Sequence, residues 1–126
     1  MRSRFTLAAL LPLLIVTTVV TAQATLTADD MRDAEETLHN LDSRISLQNK
    51  KALDDAKELA RYFQQVESHF SAKAEATRGV EFSRKSQAHA NAIVAAVEAG
   101  DYDAAMDSLS DLTRSCKTCH EVYKKK

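Results

Sequence analysis

The sequence predicts an all-α protein, an antiparallel up-down-up-down four-helix bundle. Three observations carry this. The 126 residues include only two Gly and one Pro, too few for the turns of an all-β fold. Apolar residues recur at steps of three and four along four separate stretches, the spacing of a buried stripe on a helix. The breaks between these stretches are short, so consecutive helices are expected to be antiparallel neighbours.

Residues 1–24 stand apart from the bundle. Arg2 and Arg4 precede an apolar run from Phe5 to Val20, and the stretch ends in Ala22-Gln23-Ala24. A basic start, an apolar centre and a small-x-small end are the parts of a secretory signal peptide. The alternative is a retained anchor, but the run is shorter than the roughly 20 residues that span a bilayer. With cleavage after Ala24, the expected domain is 25–126, which has 102 residues. The two arginines leave with the peptide, so the net charge moves from −1 to −3. No basic excess marks a nucleic-acid binder, and no Gly-rich loop marks a nucleotide site.

The first helical stripe runs Met31, Ala34, Leu38, Leu41, Ile45. Thr27 stands as its N-cap, with acidic residues in the first turn. After a polar break at Ser46–Lys50, the second stripe runs Leu53, Ala56, Leu59 or Ala60, Phe63, Val66, Phe70. Ala74–Gly79 forms the next break. The third stripe is Phe82, Ser86, His89, Ile93 and Ala96 or Val97. Gly100 is placed as a left-handed cap and Asp101 as the N-cap of the fourth helix. That helix carries Tyr102, Ala105 or Met106, Leu109, Leu112, Cys116, Cys119 and Tyr123.

The chemistry lies in Cys116-Lys117-Thr118-Cys119-His120, the attachment signal for c-type haem. On a helix, positions i, i+3 and i+4 share one face. Cys116 and Cys119 can then form thioethers to the haem c vinyl groups, with His120 as the proximal iron ligand. Export suits this chemistry, because covalent haem attachment takes place on the far side of the membrane. Two other readings stand beside it. One is a Cys116–Cys119 disulfide, although Cys-x-x-Cys redox proteins use a βαβ scaffold that nothing here resembles. The other is zinc, which needs a fourth ligand and usually a second, distant pair.

The ending Cys116, Cys119, His120, Tyr123, Lys124 resembles that of the cytochrome c′ family, the class II c-type cytochromes. The likeness extends over Phe82 to Gly100-Asp101, an Ala-rich helix followed by Gly-Asp. It implies an exported four-helix bundle with one covalent haem c near the end of the last helix. Lys124 stands where the family usually has Arg, and the long connection after the first helix is missing.

The iron's sixth position separates the functions. In an up-down-up-down bundle, the start of helix one lies beside the end of helix four. Met31 and His120 are each six residues from an end of 25–126, so both sit about 9 Å in from the same end of the bundle. Met31, on the inward stripe, is the candidate distal ligand, and the resemblance implies the same for six-coordinate members. A core-filled or open distal side and a histidine, His69 before His39 or His89, are the alternatives. Phe63 and Phe70 are candidates to pack on the porphyrin, with Tyr123 at its proximal side.

The expected function is single-electron transfer through a His/Met-ligated haem in the periplasm, with no enzymatic activity. No nucleophile–base pair stands out. Redox partner proteins would dock at the haem edge, near Asp29, Asp30, Asp33, Glu35 and Glu36 and the Lys124–Lys126 tail, with salt-sensitive rates. The alternative is a five-coordinate haem protein binding NO or CO, which the resemblance allows. A helical interaction module with a disulfide clip is the reading without haem. A homodimer is left open.

Overall fold

The computed structural model describes residues 25–124. The expected signal peptide and the last two lysines lie outside them. Four α-helices make up the described chain: α1 (Ala28–Ser46), α2 (Ala52–Ser71), α3 (Thr77–Glu98) and α4 (Tyr102–Tyr123). Among the described residues there are no strands, and no helix is long and apolar enough to cross a membrane.

The helix boundaries follow local chemistry. Thr27 caps α1 in a capping box: its side chain accepts from the Asp30 N–H, and the Asp30 carboxylate accepts from the Thr27 N–H at 2.7 Å. These hydrogen bonds from Thr27 hold the Asp30 carboxyl below its ordinary range. Asp101 caps α4 by accepting from the Ala104 N–H. Gly100, at φ +73°, makes the left-handed turn between α3 and α4 that side chains resist. Gln48 takes a left-handed φ of 51° in the turn after α1.

Two expectations are corrected in α3. Gly79 is not in the break, since the helix begins at Thr77 and Gly79 is buried within its first turn. A Cβ at Gly79 would run into the Phe70 ring, so the glycine lets α2 and α3 approach closely. The core face of α3 is Gly79, Ser83, Ser86, Ala90, Ile93 and Val97, whereas Phe82 and His89 are only half-buried. Small residues point inward and the larger ring sits at the margin.

α1 packs on α2 and α4, and α3 packs on α2 and α4. The core includes Leu41 and Ile45 from α1, with Ala52, Ala56, Leu59, Phe63, Val66, Phe70, Ala90, Ile93, Val97, Ala105, Leu109 and Leu112 from the others. Each fully buried Leu or Ile contributes about 1.5–3 kcal/mol. The α2–α3 seam is the most extensive, and α1 makes the sparsest contacts. Lys57 meets Glu98 at 3.7 Å and Glu67 meets Arg84 at 2.7 Å across that seam. Both pairs are exposed enough that each adds little.

Candidate functional site

α1 packs sparsely because a cavity of about 710 Å³ lies against its first half. Met31, Ala34, Glu35 and Leu38 line it from α1, and Leu59, Tyr62, Phe63 and Val66 from α2. Phe82, Ser83 and Ser86 close it from α3. Cys116, Lys117, Cys119, His120, Glu121 and Lys124 complete the wall. The size falls within the range of small-molecule and cofactor sites.

The local sequence explains how each wall arises. The turn formed by Cys116, Cys119 and His120 continues the inward stripe of Leu109 and Leu112, so all three line the cavity. On α3 the inward residues are serines, whose small side chains leave room. Ser83 donates to the Gly79 carbonyl at 2.6 Å, and Ser86 and Ser115 hydroxyls pair at 2.8 Å, so these buried groups are satisfied within the wall. Met31 stands on the fourth residue of α1, whose capping box fixes the start of the helix.

Both cysteines are free and half-buried. Burial pushes the Cys116 thiol up to about 11, with the neighbouring Cys119 adding to it, and burial also raises the Cys119 thiol. This is the reverse of the lowered pKa that makes a Cys-x-x-Cys pair a redox catalyst. Among the described residues no three His, Cys, Asp or Glu side chains gather as a metal-holding group. A zinc site needs ligands that converge on one point. A haem tether needs something else: two sulfurs toward the edge of a flat ring and one imidazole toward its centre.

Among the expected site residues, Met31, Phe63, Cys116, Cys119 and His120 share this one cavity. Phe70 and Tyr123 are not among the lining residues. Their rings pack against each other at a tilt, with centroids 4.7 Å apart, and Phe70 lies against Gly79. His69 packs edge-on to Phe70 at 5.4 Å, and its ring nitrogen lies 2.8 Å from the Lys73 ammonium. Burial and that cation lower its pKa. His39 is exposed on α1.

The stripe spacing did not single out Tyr62. It sits one position before Phe63, to which it packs edge-on at 5.5 Å, and it lines the cavity. Its hydroxyl is buried and has no hydrogen-bond partner among the described residues. Burial pushes its phenol well above the usual range, helped by Asp30, Cys116, Glu35 and Cys119. A signal was available in the sequence: a tyrosine beside a core phenylalanine brings a polar atom to the edge of that core. Set against protein-family models, curated proteins and solved structures, the chain matches none.

Proposed function

We propose that the chain is an exported c-type haem protein of the cytochrome c′ kind that transfers single electrons in the periplasm. The bound haem supplies one-electron exchange between Fe(III) and Fe(II). Cys116 and Cys119 would hold it by thioethers, with His120 as the proximal ligand and Met31 as the distal one. Phe63, Leu38, Leu59 and Val66 would exclude water from the ring, and Lys117 and Lys124 would add cations at the cavity wall. The helices run up-down-up-down, a reading supported by the ion pairs Glu67–Arg84 and Lys57–Glu98 along α2 and α3.

One observation carries this reading. Met31, from the start of the described chain, lines the same largely apolar cavity as Cys116, Cys119 and His120 from its end. Two sulfur nucleophiles, an imidazole and a thioether around one apolar space are the groups that tethering and axial ligation require. The residues present therefore fit the cofactor. Reduction potential would follow from the His/Met pair and the dry wall, and partner proteins would meet the acidic start of α1 through long-range charge.

A second reading is binding of NO or CO at an open sixth position, for which the cavity of about 710 Å³ leaves room. Absorption spectra of the exported protein separate the two. Haem bands that survive acid-acetone extraction, low-spin features and a weak near-infrared sulfur-to-iron band lost in Met31→Ala are expected. High-spin bands with rapid CO uptake, unchanged by Met31→Ala, would favour gas binding. A colourless protein would end both readings.

A further inference from the structure

We propose that the first half of α1, residues 28–38, is a gate that opens apart from the rest of the bundle and admits the planar cofactor to the cavity. The identity of the guest rests on the haem reading above, whereas the opening of the gate does not. Three observations set residues 28–38 apart. Their cavity-lining members Met31, Ala34 and Leu38 are only half-buried, and the buried residues of α1, Leu41 and Ile45, both lie in its second half. Among the described residues, no ion pair or side-chain hydrogen bond joins 28–38 to another helix. Asp30 bonds to Thr27 and Arg32 to Asp29, both within the helix and its cap. The polar tie of α1 to the bundle, Arg44 to Asp55, is again in the second half.

The other helices are fastened beside the cavity. Glu67–Arg84 and the Phe70 ring against Gly79 join α2 to α3, and the buried Ser86–Ser115 hydroxyl pair joins α3 to α4. The α1–α4 seam is the sparsest in the bundle. The exposed residues of the cavity wall, Glu35 on α1 and Lys117, Glu121 and Lys124 on α4, lie along that same seam and mark the mouth. Lifting residues 28–38 lengthens the mouth to a slot of roughly 16 Å, at 1.5 Å per helical residue, while α2, α3 and α4 keep the remaining walls. A segment with few buried apolar contacts and no cross-ties opens at a lower free energy than the whole domain. The hinge falls between Leu38, in the cavity wall, and Leu41, which is fully excluded from solvent. Closure returns Met31 to the cavity that Cys116, Cys119 and His120 also line.

Hydrogen exchange of the exported full chain, followed segment by segment, tests the gate. Residues 32–38 are expected to exchange roughly tenfold or more faster than 41–46 and than the buried stretches of α2 and α3. Equal protection along the whole of α1 would overturn the proposal. Thr27→Ala, which removes the cap of the gate and touches no residue of the cavity wall, then tests admission. It is expected to speed exchange of 32–38 about fivefold, the factor for one lost cap, and to leave 41–46 unchanged. Uptake of added haemin by the haem-free chain, with Cys116→Ser and Cys119→Ser, is expected to speed by a similar factor. Faster exchange with unchanged haemin uptake would overturn the role in admission. An exported protein without haem would overturn the haem reading, and the exchange contrast would still decide the gate.

Discussion

The two ends of the bundle are built on opposite principles. At one end, Arg44 and Ile45 of α1 meet the start of α2, and Leu41, Ala52, Ala56, Ala90, Ile93 and Ala105 are almost fully excluded from solvent. At the other, Met31, Ala34 and Leu38 are only half-buried, and they face a cavity instead of side chains. The same helix supplies both ends with the same periodic stripe. What differs is the residue opposite: α3 places Ile93 and Val97 at the closed end and Ser83 and Ser86 at the hollow one. Stability is concentrated where the core closes, and chemistry is available where it does not.

Substitution of the core should expose this division most strongly. Ile93→Ala should cost about 2–5 kcal/mol in chemical denaturation. Ala34→Phe, which fills the cavity, should leave helicity intact while cutting the haem content of purified protein by more than half. If the two substitutions lowered stability equally, the division between a closed and a hollow end would fail.

The closed end also holds a charge. Arg44 donates to Asp55 Oδ1, while Asp55 Oδ2 is buried without a partner. Burial raises the Asp55 pKa above its ordinary 3.8, and Arg44 opposes this. Because the folded value is the raised one, Asp55 favours folding fully at pH below 3.8. That contribution is lost as the pH rises through the folded value. Arg44→Met should cost about 2 kcal/mol near neutrality, by leaving the carboxylate unpaired. It should also steepen the fall in stability above pH 3.8, read from urea melts across pH. Asp55→Asn should flatten that fall.

Gly79 marks where the two ends meet different demands. Gly79→Ala would push a methyl into the Phe70 ring, which is itself packed against Tyr123. Thermal melts should show a loss of about 1–3 kcal/mol. Adding Phe70→Ala should make the glycine change nearly silent, the non-additivity expected of neighbours.

Much of this architecture was legible in the sequence, for local reasons. Thr27, Gly100 and Asp101 act through their own side chain or backbone, so their roles as caps depend on nothing distant. The stripes of α1 and α2, and that of α4 through Leu109 and Leu112, follow the buried face because large apolar residues mark it, whereas Tyr123 at the end of the α4 stripe is exposed. The stripe of α3 held at Ser86, Ile93 and Val97 but misled at Phe82 and His89, because the inward positions beside them are Gly79, Ser83 and Ala90, and only the facing helices show that small residues are wanted there. Of the candidate site, Cys116, Cys119, His120, Met31 and Phe63 were readable as a set that shares one cavity. The tilted Phe70–Tyr123 pair and the unpaired Tyr62 hydroxyl depend on packing across helices, which periodicity does not encode.

The smallest effect concerns the cap at the hollow end. Thr27→Ala should cost about 1 kcal/mol. Hydrogen exchange should show the loss confined to the first turns of α1, around Met31, with the closed end unchanged.

The intact mass of the exported, purified protein tests the central claim most directly. The account predicts the chain without residues 1–24 plus one covalently bound haem, an increment that survives denaturation and disappears when Cys116 and Cys119 are both replaced by Ser. A denatured protein at the bare mass of its chain, with two titratable thiols, would contradict it.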